Sequence, residues 1–234
     1  MEKAFYLQER ELAVLMAAMG KTKLYGYPLR HVKELSEQMV NMTLFQMVKK
    51  RIIRISERGI HIQDEYQDVI KSIIEAQKLY VYANADEKFP QMFLYQASQV
   101  IMLCGQGQDS SIIRVEVWQR ESMTDRLVEN GMTVNSLLQD TLFERVEPDK
   151  EEWLKEKYRN WYLFSLEKIL KESSMYFILR EYDVGLEKLQ FQIMAVGDGM
   201  QDYLIGENSD NCFIDVYSDR KVKEMLDECR GSEK

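Results

Sequence analysis

The second half of the chain repeats the order of strand-like and helical segments found in the first half. A strand-like run beginning at Leu79 has a counterpart beginning at Met175, 96 residues later, and Ser122 and Ser218, which begin the following helices, are also 96 residues apart. Residue identity between the halves is low, so the pattern is repeated rather than the sequence. This offset constrains the fold because it predicts two similar units.

Each predicted unit contains four strands followed by one helix. The runs are apolar or alternating, rich in β-branched and aromatic residues, and separated by polar turns, which is typical of an antiparallel meander. One helix covers only one face of a sheet, so we expect the two meanders to join into one central sheet about a pseudo-twofold axis, flanked by helices. The fold class is therefore α+β, with strands predicted at 79–83, 92–97, 100–104, 112–118, 175–182, 189–196, 202–205 and 212–217.

The first 78 residues have a different, winged-helix-like order. Apolar residues at helical spacing from Leu12 to Met19 predict a first helix that Gly20 ends. From Val32 to Val48 either two helices or one bent helix fits, with a break near Asn41. Two short strands at 53–55 and 60–62 then form a hairpin-like wing, and Asp64 is expected to cap a helix through Ile74.

The chain divides into four segments that we expect to pack as one compact domain. Only three prolines and eleven glycines occur, with no flexible linker. Between the two units, 132–146 has no clear pattern, and Asp149 begins a long helix that carries an apolar face to Leu170. The segments are the winged-helix-like region at 1–78, the first meander and helix at 79–131, the connection at 132–174, and the second meander and helix at 175–234.

Composition predicts a cytoplasmic protein. No apolar run reaches about 18 residues, and charged residues interrupt the first 20, so we expect neither a membrane span nor a signal peptide. Cys104, Cys212 and Cys229 show no CxxC spacing, which disfavours disulfides and structural zinc.

The usual catalytic and cofactor patterns are not found, so we expect a protein that is not an enzyme and has no catalytic residue, cofactor or metal. Two glycine pairs, at 105–107 and 197–199, lie between strands and read as turns rather than phosphate loops. His31 and His61 are expected to be surface or cap residues, and acidic pairs such as Glu9 and Glu11 lie at helix starts, where they interact favourably with the positive end of the helix dipole. No HExxH or EF-hand pattern occurs.

A DNA-binding regulator is one hypothesis for the winged-helix-like region. Basic residues cluster from the end of the second helix into the wing, at Lys49, Lys50, Arg51, Arg54 and Arg58. Residues 1–80 carry a net charge of +3, however, and the remainder carries −11, which repels DNA. The helix before the wing is also mostly apolar and leaves few polar side chains to read bases, so nucleic acid is not the favoured partner.

Protein recognition is the other hypothesis. Fourteen methionines are a high number, and methionine provides adaptable apolar surface, although many of them will fill the core. Loops held on a rigid sheet commonly bind partners. The polar loops that could do so here are Asn84 to Lys88, Gly105 to Ser110 and Gly206 to Asn211.

The whole order resembles the EspG-like proteins associated with type VII secretion. The family's "E-L-x-x-L-x-x-x-x-G" is similar to Glu11 through Gly20, and its "L-x-x-x-G-L-(hydrophobic)", wing and following helix are similar to the stretch from Phe45 to Ile74. Its C-terminal strand, turn, strand, strand, helix unit is similar to the stretch from Phe191 to Leu226. The composition resembles a firmicute chain, so the client would differ from the PE/PPE substrates of mycobacterial members.

One position departs from the family pattern. Arg51 replaces the glycine before the hydrophobic pair, so the helix must end on another cap or accept a non-glycine residue in the left-handed region, at about 1 kcal/mol.

The resemblance implies a cytosolic chaperone-like adaptor that covers the helical tip of a secretion substrate. An exposed apolar tip promotes self-association, and covering it keeps the substrate soluble. On this hypothesis the client contacts the sheet face and its loops, through Phe93, Tyr95, Trp118, Tyr203 and Phe213.

Overall fold

A computed structural model describes residues 4–29, 36–57, 59–86, 88–106, 109–133, 174–197, 202–208 and 212–231. These ranges contain five α-helices and a large antiparallel sheet, so the α+β class is confirmed. In chain order the elements are β1 Ala4–Gln8, α1 Glu9–Ala18, α2 Glu37–Lys49, β2 Ile53–Ser56, β3 Gly59–Ile62, α3 Asp64–Ile74, β4 Lys78–Asn84, β5 Met92–Gln96, β6 Val100–Gln106, β7 Asp109–Trp118, α4 Met123–Glu129, β8 Ser174–Asp183, β9 Lys188–Gly197, β10 Asp202–Asn208, β11 Cys212–Val216 and α5 Asp219–Gly231.

Nine of the described strands form one sheet in the order β1-β7-β6-β5-β4-β8-β9-β10-β11, and every neighbouring pair is antiparallel. The four strands β4 to β7 and the four strands β8 to β11 each follow one another in space as in the chain. They meet at the β4–β8 pair, where Lys78 lies opposite Asp183 and Asn84 opposite Phe177. The remaining strands, β2 and β3, form a separate hairpin.

The two faces of the sheet are buried by different helices. On the first face, α1 and α3 pack against the sheet and α2 packs against α1, with Leu12, Met47 and Ile70 in the same cluster as Leu79 and Phe93. On the second face, α4 and α5 cover alternate residues of the sheet, in a cluster that includes Trp118, Leu127, Phe177, Leu204 and Leu226. Side chains of a strand point alternately to opposite faces, so one strand contributes to both clusters.

Three of the described helices end in the same hydrogen-bonded turn, in which the residue after the cap is left-handed and the amide of the next residue donates back to a carbonyl in the last helical turn. At α1 the left-handed residue is Gly20, with φ +79°, and at α4 it is Gly131, with φ +88°. At α2 it is Arg51, with φ +59°, and the Ile52 amide donates to the Met47 carbonyl at 2.9 Å. Arg51 therefore occupies the left-handed region, one of the two outcomes expected from the sequence.

The structure of the first turns of α3 and α4 corrects the caps predicted for these two helices. Asp64 is the first residue of α3 and follows Gln63 at the cap position, so it lies inside the first turn. The Ser122 hydroxyl donates to the Gln119 carbonyl at 2.9 Å and makes no cap hydrogen bond to α4, because residues 120–122 form a short 3₁₀ turn. Ser218 does act as a cap, accepting from the Lys221 amide at 3.2 Å.

Other predicted boundaries also shift. α2 runs without interruption through Asn41, so the predicted break there is wrong, while 30–35 lies outside the described residues. β6 and β7 extend into the loop predicted between Gly105 and Ser110, and β10 continues through Gly206 to Asn208. The long helix predicted from Asp149 lies outside the described residues.

Candidate protein-binding site

Helix α2 presents a large apolar surface to solvent. Of its side chains only Thr43 and Met47 are buried, whereas Met42 is 52% exposed and Phe45 is 61% exposed. At about 100° per residue, Met42 and Phe45 lie at the centre of the outward face, with Met39 and Val48 on its two sides. The same face borders a shallow, open depression lined by Glu37, Gln38, Asn41, Met42 and Phe45.

The β2–β3 hairpin, which follows α2 in the chain, exposes two further apolar side chains. Ile53 is buried and lies opposite Ile62 at the base of the hairpin, whereas Ile55 and Ile60 lie opposite each other toward its tip and are exposed. Residues two apart in a strand share a face, so the face that is buried at the base projects into solvent at the tip. Three residues, 50–52, join the hairpin to α2, and we call Met39, Met42, Phe45, Val48, Ile55 and Ile60 together the α2–hairpin surface.

Cations surround the hairpin end of this surface. The Lys49 ammonium lies 4.6 Å from the centre of the Phe45 ring, a cation–π contact. Arg51 and Arg54 are exposed, Arg54 on the hairpin face opposite to that of Ile53 and Ile55, and neither makes an ion pair with another residue in the described ranges. At the opposite end of α2, Glu37 lies in the first turn. The surface is thus apolar along its length and positive at one end.

A buried carboxylate fixes α2 against α1. Glu11 is fully buried; its carboxylate accepts from the Gln8 amide at 2.9 Å and lies 2.8 Å from the Lys50 ammonium at the end of α2. Arg10 adds a second link, donating to the Gln46 side chain at 3.0 Å. Glu9 and Glu11 lie in the first turn of α1, as the sequence predicts, and both are also buried.

The residues predicted to form a client site do not share one exposed face. Phe93 and Tyr95 are buried on the first face, where Phe93 packs edge-on against Tyr27 at 4.9 Å and the Tyr95 hydroxyl donates to the Tyr25 carbonyl at 2.7 Å. Trp118 is buried on the second face, and its indole N–H donates to Glu116 at 2.8 Å.

The other two predicted residues lie in the second meander. Tyr203 is half-buried in β10, opposite Val196 and Val216, and Phe213 is paired through its backbone with Gly206. Contact of any of the five with a client stays a prediction. The three in the first meander are occupied by core packing, so the open apolar surface lies on α2 and the hairpin instead. Its signal in the sequence was the number of apolar residues around α2, which exceeds what one buried stripe requires.

Burial keeps one thiol and two tyrosine hydroxyls of the core protonated. Burial raises the pKa of the Cys104 thiol to about 11 and that of the Tyr82 hydroxyl to about 12. Burial also raises the pKa of Tyr95. At neutral pH these groups stay protonated and make poor nucleophiles or bases.

The hairpin brings a serine and a histidine together. Ser56 Oγ lies 2.9 Å from His61 Nε2 on the exposed hairpin, a contact that links its two strands near the tip. In the described ranges no three His, Cys, Asp or Glu side chains are grouped so that they could hold a metal ion. No helix in those ranges combines the length and apolar character needed to cross a membrane.

No protein-family model matches the chain, and no curated protein matches it either.

Proposed function

We propose that this chain is a cytoplasmic, chaperone-like adaptor that binds helical substrates of a type VII secretion system. The observation that carries the proposal is the α2–hairpin surface, where six large apolar side chains are each between 39% and 61% exposed. Contiguous exposed apolar surface rimmed by polar residues marks protein-binding sites in soluble proteins. Amphipathic helices commonly bind to such surfaces through side chains spaced three or four residues apart.

The anchoring beneath this surface supports the proposal. Met47 and Ile53 are buried directly behind the exposed positions, and the Glu11–Lys50 ion pair fixes the end of α2. A preformed apolar surface loses little conformational freedom on binding, which favours affinity. The resemblance to EspG-like proteins supplies the type of client, and the contact surface is our inference from exposure.

The fold proposal has two finer components. We infer that residues 1–78 form a winged-helix-like unit, which the order α1, α2, β2–β3 hairpin, α3 supports. We also infer that the two meanders are duplicated units related by a pseudo-twofold axis. The symmetric strand order about β4–β8 and the placement of α4 and α5 on one face support it.

A DNA-binding regulator is the second candidate, favoured by the basic side chains at the end of α2 and in the hairpin. Against it, the outward face of α2 presents Met42 and Phe45 where a recognition helix needs polar groups, and Lys50 is already paired with Glu11. The chain as a whole carries a net charge of −8.

Affinity purification of the tagged protein from its own cell tests the proposal. Wild type is compared with Phe45→Asp, which places a charge at the centre of the α2–hairpin surface, and with Leu186→Asp. Leu186 is 71% exposed in the β8–β9 turn, so it provides the same chemical change away from the surface. Eluates are analysed by mass spectrometry and for nucleic acid.

We expect a small helical secreted protein to co-purify in stoichiometric amount with wild type and Leu186→Asp and to be lost with Phe45→Asp. Recovery at high salt is expected because apolar burial is not screened. Nucleic acid without a protein partner, released as salt rises, would instead favour the DNA-binding regulator.

A further inference from the structure

The α2–hairpin surface is apolar along its length and carries charges of opposite sign at its two ends. At its hairpin end, Lys49, Arg51 and Arg54 are exposed and outnumber the one exposed carboxylate of the described hairpin, Glu57, and none of the three forms an ion pair with another described residue. At its other end the exposed charge is Glu37. Lys50, which also lies at the hairpin end, is excluded from this set because Glu11 neutralises it.

We infer that the helix bound along the outward face of α2 carries acidic residues in its first turn and lies antiparallel to α2, with that turn at the hairpin end, over Lys49. This inference rests on the proposed adaptor function and specifies the chemistry of its partner. Acidic residues are favoured at the start of a helix, where they meet the positive end of the helix dipole. In the antiparallel arrangement the acidic turn meets the unpaired cations, and the dipoles of the two helices are oppositely directed.

The apolar part of the contact sets the spacing on the partner. Met39, Met42, Phe45 and Val48 follow one another every three residues, and Met42 and Phe45 are the most exposed of the four. A partner helix with apolar residues at i, i+3, i+4 and i+7 matches such a face. Complementary charge then fixes which way round the helix lies and excludes partners with a basic first turn.

Two synthetic amphipathic helices of about 20 residues, long enough to be helical alone, test the inference. They share one apolar face and differ only in the first turn, which is acidic in one and basic in the other. Binding to the full-length protein is measured by fluorescence anisotropy at low and physiological salt. A photo-crosslinker at the peptide N-terminus reports which end of α2 it contacts.

We expect wild type to bind the acidic peptide about tenfold more tightly than the basic one, the size expected for two or three exposed charge pairs. Lys49→Glu/Arg54→Glu should reverse this preference, and Phe45→Asp should abolish binding of both peptides. The crosslink should fall near Lys49 rather than near Glu37. All substituted side chains are exposed, so unchanged thermal unfolding serves as the control for folding.

Other results would overturn the inference in distinguishable ways. If both peptides bind equally tightly and Phe45→Asp abolishes that binding, the inferred preference for an acidic first turn is wrong, but the α2–hairpin surface still binds helices. Binding of neither peptide, or binding that Phe45→Asp leaves unchanged, would remove the α2–hairpin surface itself. Binding to vesicles of phosphatidylglycerol and phosphatidylcholine, without binding to either peptide, would assign the surface to a membrane instead.

Discussion

At the scale of single residues, a substitution at Arg51 measures the free-energy cost of a left-handed, non-glycine residue at the end of a helix. Its φ of +59° is unfavourable for a residue with a Cβ, whereas glycine adopts it freely. We expect Arg51→Gly to raise the free energy of unfolding by about 0.5 kcal/mol or more, measured by urea denaturation. Lys49→Gly is the control, because Lys49 is an exposed residue inside α2, where glycine is unfavourable, and this variant should lose stability. Loss of stability in Arg51→Gly would show that the turn is not strained.

Two glycines with the same backbone role differ in their surroundings. Gly20 and Gly131 both have positive φ, but a Cβ at Gly20 meets no atom within 4 Å, whereas at Gly131 it would lie 2.4 Å from the Phe89 ring. We expect Gly20→Ala to cost about 1 kcal/mol and Gly131→Ala at least about 1 kcal/mol more. Equal unfolding midpoints for the two variants would mean that Phe89 moves aside at no cost.

The buried thiol and hydroxyl predict loss of stability in alkali. Folding raises the pKa of Cys104 from 9.0 to about 11 and that of Tyr82 from 10.0 to about 12. The folded state therefore favours the protonated forms, and their contribution is complete below the unfolded pKa and lost as pH rises through 9 to 12. The free energy of unfolding should fall from about pH 9, and less steeply in Cys104→Ala.

The modification of Cys104 can be followed on its own in a Cys212→Ser/Cys229→Ser variant, in which Cys104 is the one cysteine of the sequence that remains. Iodoacetamide should modify Cys104 far more slowly in the folded protein than in urea at about pH 8, because burial both blocks access and suppresses the thiolate. Equal rates in the two states would place Cys104 in contact with solvent.

At the scale of elements, one side of α2 is buried in the core and the other is exposed to solvent. Met47 is fully buried against α1 and the hairpin base, and Phe45, two residues earlier, is 61% exposed. Met47→Ala should lower stability by about 2 to 4 kcal/mol, whereas Phe45→Ser should change it by about 0.5 kcal/mol or less. Thermal unfolding of both variants checks this, and a large loss in Phe45→Ser would mean that the outward face is covered.

The sequence was most informative about elements whose signal is local. A run of apolar residues bounded by polar turns, such as Val100 to Cys104, predicts a strand without any knowledge of which helix will cover it. All eight strands of the two meanders were predicted in this way. Burial of Phe93 and Trp118 could not be predicted in the same way, because it depends on α1, α3 and α4 arriving from distant parts of the chain. The ion pair of the buried Glu11 could not be predicted for the same reason, since its partner Lys50 is 39 residues away.

At the scale of the whole molecule, the β4–β8 pair joins the two meanders through one shared core. Tyr82 of β4 packs against Phe177 of β8 with ring centres 6.3 Å apart, and the second-face cluster extends from Trp118 to Leu226. We expect the two meanders to unfold together, so native-state hydrogen exchange in urea should give amides of β6 and β9 the same opening free energy. Separate opening free energies would show that each meander is an independent unit.

The position of β1 at the edge of the sheet has a consequence for synthesis on the ribosome. Its hydrogen-bonding partner is β7. Phe5 therefore cannot pair until the opposite residue, Val115, has been translated, more than 100 residues later. At about 5 to 20 residues per second, that delay lasts roughly 5 to 20 s. During this interval the apolar side of β1 has no sheet to join, because β1 cannot pair until the last strand of the first meander has followed it.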